Sequence, residues 1–179
     1  MHALRSVCLL LLVALALGGC SQAGAGEAQA SAPDVDGCAG SQLRPTPANG
    51  AQVHAATLCL LNAQRARAGV VALTENTMLQ SAAEAQSLDM ATRKFFEHRN
   101  PDGVDPAARI VHAGYPPILV GENLAWGELW RSTPAEIVKS WMGSPGHRAN
   151  ILHAFTHIGI GTTRDARGIV WVVADFGTQ

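Results

Sequence analysis

Ile158-Gly159-Ile160-Gly161-Thr162-Thr163, then Asp165-Ala166-Arg167-Gly168, then Ile169-Val170-Trp171-Val172-Val173-Ala174-Asp175-Phe176 decide the fold class. The first segment alternates along its length, the last is β-branched and aromatic, and the four residues between them have the composition of a hairpin turn. Two glycines on one face of a strand put no side chain there. That predicts close approach of another backbone. Upstream, the apolar residues recur at helical offsets. Helices followed by an antiparallel hairpin argue for an α+β fold rather than a doubly wound one.

Four helices are expected before the hairpin. Residues 52–68 place Val53, Ala56 and Leu60 beside Leu58, Leu61 and Arg65 at helical spacing, and Gly69 stops them. Residues 76–95 begin at Asn76, a plausible N-cap, and carry a stripe of Met78, Leu79, Ala82, Ala83 and Leu88. Residues 105–113 have Pro106 in the first turn and Gly114 as the stop. The fourth helix opens with Thr133 as N-cap, Pro134 at N1 and Glu136 at N3. Ile137, Val138, Trp141 and Met142 form its apolar face. Pro145-Gly146 ends it and turns the chain so that His147 starts a new segment.

The N-terminus reads as an export signal. Arg5 precedes the apolar run Val7 to Leu17, which is too short to span a membrane as a mature helix. The run ends in Leu17-Gly18-Gly19-Cys20, similar to a bacterial lipobox in which Cys20 becomes the first mature residue and carries lipid. An ordinary signal peptide with Cys20 incidental is the alternative. Residues 21–50, rich in Ala, Gly, Ser, Gln and Pro, read as a tether. The division is therefore a signal peptide over 1–19, a lipidated Cys and flexible tether over 20–50, and a folded domain over 51–179. It places the protein in the bacterial cell envelope, outside the cytoplasm, held to the membrane through its N-terminal lipid. Cys8 lies in the signal. That leaves Cys38 and Cys59 as a disulfide in an oxidising compartment, or as two buried free thiols. A net charge of −1 with only 13 basic residues and no basic stripe argues against a nucleic-acid partner.

Three short stretches carry the candidate chemistry: Phe95-Phe96-Glu97-His98, Gly121-Glu122-Asn123 and Ser144-Pro145-Gly146-His147-Arg148. Each sets a His or an acid beside chain-bending or helix-ending residues. Two imidazoles and a carboxylate meeting from three segments suit zinc or another divalent ion with an open position, or metal-free acid/base work. Taken singly, Glu122 reads as a surface loop acid, Asn123 as a residue holding that loop through its amide, and Ser144 as a helix-end hydroxyl. Arg148 is a candidate partner for Glu122 or Asp175. His54, His112, His153 and His157 read as surface or satisfied structural histidines. Trp126 and Trp130 read as core or loop packing, with a hydrophobic rim as the alternative.

The order of Gly121-Glu122-Asn123-Leu124-Ala125, Trp141-Met142 with Ser144-Pro145-Gly146-His147-Arg148, Ile151-Leu152, and Ile158-Gly159-Ile160-Gly161 resembles the CAP superfamily. That superfamily holds the cysteine-rich secretory proteins, insect venom antigens and plant pathogenesis-related proteins. The resemblance covers about 52–177. It implies a three-layer α-β-α sandwich with a central antiparallel sheet and an open cleft lined by two histidines and acidic residues. His98 corresponds to the first cleft histidine, Glu122 to the first acid and His147 to the second histidine. Three functions are compatible: binding of a small ligand, lipid or envelope protein; a weak metal-dependent, peptidase-like hydrolase using the same three residues; or a structural scaffold.

Overall fold

The computed structural model describes residues 35–179. The signal segment, Cys20 and the first part of the tether lie outside the described residues. The elements in chain order are α1 (Gly50–Arg67), β1 (Thr74–Glu75), α2 (Thr77–Arg93), α3 (Pro106–His112), β2 (Leu119–Glu128), a 3-10 turn (Leu129–Arg131), α4 (Pro134–Gly143), α5 (Pro145–Leu152), β3 (His157–Arg164) and β4 (Ile169–Thr178).

The helix starts follow local side-chain chemistry. Asn76 Oδ1 accepts from the N–H groups of Met78 and Leu79, and Asp105 Oδ1 accepts from Ala108 N–H. Thr133 Oγ1 accepts from Glu136 N–H. Each satisfies a donor that the first helical turn leaves unpaired. Pro145 does more than end α4, because it also occupies the first turn of α5. Ser144 is the hinge residue shared by the two helices, and its side chain caps neither.

The four strands form one sheet in the order β1-β3-β4-β2. β4 pairs antiparallel with both β3 and β2, whereas the two-residue β1 pairs parallel with β3. β2 was not legible as a strand. Its Gly121, Glu122, Asn123 and Gly127 dilute the β-branched pattern that marks β3 and β4. Glu122 is consequently a buried strand residue and not a surface loop acid.

Helices cover both faces of the sheet. On one face, Leu60 and Leu61 of α1, Ile137 and Trp141 of α4 and Ile151 of α5 pack on Ile158, Ile160, Val172 and Phe176. On the other, Ala83 and Met90 of α2 pack on Leu124, Trp171 and Val173. The expected close approach occurs on this second face. A Cβ on Gly159 would lie 2.0 Å from Gln80 N, and one on Gly161 would lie 2.1 Å from Ala83 O. Both obstacles are α2 backbone, which cannot rotate away. Gly161→Ala is therefore expected to destabilise the fold by about 3 kcal/mol, read as a lowered midpoint in urea unfolding. A loss under 0.5 kcal/mol, on the order of a surface substitution, would contradict the packing.

Residues 35–49 form turns against the α1 and α4 side of the domain. Cys38 and Ser41 are buried, and Ala135 N–H donates to Ser41 C=O at 2.9 Å. The expected Cys38–Cys59 disulfide is present and ties these turns to α1. Its loop, a sequence separation of 21, corresponds to about 3 kcal/mol of stabilisation by chain entropy.

Arg65 of α1 is fully buried and has carbonyls as its partners. Its guanidinium donates to Val71 O, Ile151 O, His153 O and Phe155 O at 2.6–2.8 Å. Three of these carbonyls belong to the end of α5 and the segment leading into β3. The cation thus sits where the α5 dipole is negative and fixes the helix that carries His147.

Candidate functional site

β2 positions the acid. Glu122 stands opposite Asp175 of β4, on the sheet face covered by α2 and α3. The glycine before it leaves room for Phe155, because a Cβ at Gly121 would lie 2.8 Å from that ring. Glu122 Oε1 lies 2.6 Å from His98 Nδ1, at the turn after α2. Glu122 Oε2 accepts from Arg109 Nη2 of α3. Arg109 is itself nearly buried, and its Nη1 donates to His98 O at 2.9 Å and to Val104 O at 3.2 Å. One guanidinium therefore neutralises the acid and also holds the backbone that presents His98. Pairing is what makes a buried carboxylate tolerable. The expected partner, Arg148, is exposed instead, and makes no ion pair with Glu122 or Asp175.

Asp175 completes the buried group. It is fully buried, and neither carboxyl oxygen has a hydrogen-bond donor. Burial and the adjacent Glu122 carboxylate push its carboxyl well above the ordinary range.

His147 reaches the site from α5. Asn123 Nδ2 donates to His147 O, and Asn150 Nδ2 donates to Glu122 O and Asn123 Oδ1, each at 3.0 Å. These amides staple α5 to β2. Asn123 thus holds a neighbouring helix, where a loop-holding role was expected. His98 and Glu122 are in direct contact. His147 stands near enough to His98 to feel its charge, yet makes no hydrogen bond to either.

The two imidazoles have opposite tendencies. The hydrogen bond to Glu122 holds His98 above its usual pKa. Burial, with the charge of His98, pushes His147 below it. The stabilisation from charged His98 is full below its unfolded pKa of about 6.5 and is lost as pH rises through its raised folded value. That from neutral His147 is present above about 6.5 and lost as pH falls through its lowered value. Imidazole NMR titration is expected to place the His147 midpoint below that of His98. In Glu122→Gln the His98 midpoint should drop toward that of a free histidine. Coincident midpoints in the unaltered protein would contradict this geometry.

The residues do not fit a three-ligand metal centre as they stand. Among the described residues, no three His, Cys, Asp or Glu side chains are grouped to hold an ion. Both Glu122 oxygens are already engaged by His98 and Arg109, so binding zinc or another divalent ion there would compete with these contacts. With Nδ1 directed at Glu122, His98 keeps Nε2 available for a ligand or a proton, and 57% of its side chain is exposed.

A groove of about 740 Å³ runs from His147 along the edge of the sheet. Leu124 to Glu128 form its floor, Ile137, Ser140 and Trp141 of α4 one wall, and Phe96, Trp130 and Arg131 its rim. Trp126 and Trp130 are each 54% exposed. They form the hydrophobic rim, and the reading of both as core or loop packing is corrected. Trp126 stacks on Trp171 at 5.8 Å and meets Phe96 edge-on at 6.2 Å. The other four histidines of the described residues lie elsewhere. His112 and His153 are exposed, His54 lies 3.5 Å from Glu75, and His157, the first residue of β3, faces Tyr115 Oη at 3.0 Å.

The sequence alone does not single out Arg109, Asp175 or Asn150 as site residues. A signal exists for Asp175, an acid inside the apolar run Ile169–Phe176. Nothing local marks Arg109 or Asn150, whose roles arise only when helices meet the sheet.

The model of the CAP family, the cysteine-rich secretory protein family, matches residues 58–176, and the chain belongs to that family. A curated relative, the uncharacterized protein YkwD of Bacillus subtilis, is 39% identical over 113 residues, covering 63% of this chain and 42% of its own length. The chain thus spans less than half of that relative. Among solved structures, an extracellular protein containing a SCP domain from Bacillus anthracis is similar with a TM-score of 0.65 at 24% identity, over 75% of this chain and 44% of that one. An outer surface protein of Borrelia burgdorferi is similar with a TM-score of 0.61 at 22% identity, over 68% of this chain and 89% of that one. At these identities the two structures support the α+β fold alone.

Proposed function

We propose that the protein is a ligand-binding domain that works outside the cytoplasm, held in the cell envelope through Cys20, and takes a small ligand, lipid or envelope partner at the His98–Glu122–His147 site. The observation that carries this reading is the groove of about 740 Å³, with two half-exposed tryptophans, ending at His147. Apolar walls with a few fixed polar groups are the usual make-up of a ligand site. The Cys38–Cys59 disulfide suits an oxidising compartment. Titrating the purified protein with cell-envelope lipids and glycan fragments should change tryptophan fluorescence. His147→Ala and Trp126→Ala should weaken saturation by about tenfold or more while the circular dichroism is unchanged. Equal binding by all three proteins would sink the reading.

A second reading is favoured by one contact. The 2.6 Å approach of His98 Nδ1 to Glu122 orients the ring as a general base with Nε2 outward. It is a metal-free hydrolase whose turnover should fall about a hundredfold or more in His98→Ala and persist in chelator. Activity lost in chelator, with zinc raising the melting temperature of the unaltered protein only, would assign the chemistry to a metal.

A further inference from the structure

The groove is floored by an open sheet edge, and this specifies its occupant further. Asn150 Nδ2, Trp141 Nε1 and Ser132 Oγ donate to the carbonyls of Glu122, Leu124 and Glu128 at 2.8–3.0 Å. In a strand, the N–H and C=O of one residue point the same way, and the direction alternates along the chain. These three contacts therefore place the backbone groups of the even-numbered β2 residues on the outer edge, away from β4. The N–H groups of Leu124, Trp126 and Glu128 and the C=O of Trp126 face the groove. With β4 on the opposite side, none of the four is offered a strand partner.

Exposed edges are usually blunted by Lys, Pro or a covering element. β2 contains neither Lys nor Pro, and between the carbonyls taken by Trp141 and Ser132 its second half opens on the groove. The opening straddles the edge, with Trp126 and Phe96 on one side and Ile137 and Trp141 on the other. Side chains of an added strand would alternate between those two walls. Charge narrows the occupant. Glu128 and Glu136 line the groove against a single guanidinium, Arg131, which lies over the Trp130 ring at 4.3 Å.

We propose that the open edge of β2, from Leu124 to Glu128, takes up an extended segment of a partner polypeptide as a fifth strand, the segment carrying a Lys or Arg beside an apolar residue. This names a ligand class for the groove and rests on the binding reading above. The backbone supplies general affinity through hydrogen bonds, and the aromatic and acidic walls supply selection.

Glu128 offers a clean test. Its φ of −63° is that of proline, and its N–H points outward, so Glu128→Pro removes one edge donor without touching the β4 ladder. Phage-displayed random twelve-residue peptides would be selected on the purified chain, and the enriched peptide titrated by tryptophan fluorescence. Enrichment of Lys or Arg with apolar residues is expected. Glu128→Pro should weaken binding about tenfold relative to Glu128→Ala, which lacks the same carboxylate but keeps the N–H. Methylating alternate amide nitrogens of the peptide should weaken it in one phase and not in the other. Equal affinities for the Pro and Ala variants, with both folded by circular dichroism, would overturn the proposal. So would the absence of any enriched peptide from a protein that still binds envelope lipids or glycans, an outcome that leaves the broader binding reading standing.

Discussion

Arg65→Leu is expected to lower the stability of the domain by about 4 kcal/mol, read as the change in urea unfolding free energy at neutral pH. The guanidinium satisfies four backbone carbonyls at once, from Val71, Ile151, His153 and Phe155. Leucine would fill much of the volume and leave all four without a donor. Each buried acceptor left unsatisfied costs about 1–3 kcal/mol before relaxation, so even substantial relaxation leaves a large net loss. Arg65→Lys should recover little. A single ammonium on a flexible stem cannot reproduce the planar fork that reaches carbonyls on both sides. A loss below about 1 kcal/mol for Arg65→Leu would mean that water replaces the guanidinium, and the assigned role would be wrong.

Arg109→Leu is expected to cost about 3–5 kcal/mol, because it strands the buried Glu122 carboxylate with His98 as its remaining cationic partner. The same change should raise the His98 pKa, since the Arg109 charge works against protonation of that ring. Glu122→Gln added to Arg109→Leu should restore part of the lost stability, a coupling of at least about 1 kcal/mol in a double-mutant cycle. Additive losses would show that Arg109 acts by packing alone. The cycle is informative because the structure gives Arg109 two tasks. It pairs Glu122, and it also holds the carbonyls of His98 and Val104. The coupling energy isolates the first.

Which parts were legible in the sequence follows from where the information sits. Asn76, Pro106, Thr133 and Gly168 act on the backbone within a few residues of themselves, so their helices and the hairpin could be read locally. Gly159 and Gly161 were readable for a different reason. The absence of a side chain on one strand face has few explanations, and the α2 backbone is the one found. β2 was hidden because its polar residues are explained only by long-range partners. Glu122 is buried because Arg109 reaches it, and Asn123 because it bonds His147 O. The resemblance supplied His98, Glu122 and His147 together. It did not supply the buried neighbour Asp175, nor the fact that both Glu122 oxygens are already engaged. The rim tryptophans were ambiguous, since an exposed and a buried indole leave the same mark in a single sequence.

The position of β4 bears on how the protein is made. β4 follows every other element in the chain, yet lies between β3 and β2 as their common partner. A polypeptide delivered N-terminus first can form α1, α2 and α3 by local contacts, but β2 has no strand neighbour until Ile169–Thr178 arrives. The helices would meanwhile expose the apolar faces that the finished sheet covers. The sheet can therefore close only once the last strand is present. That order of events suits a polypeptide passed through a translocation pore before it folds.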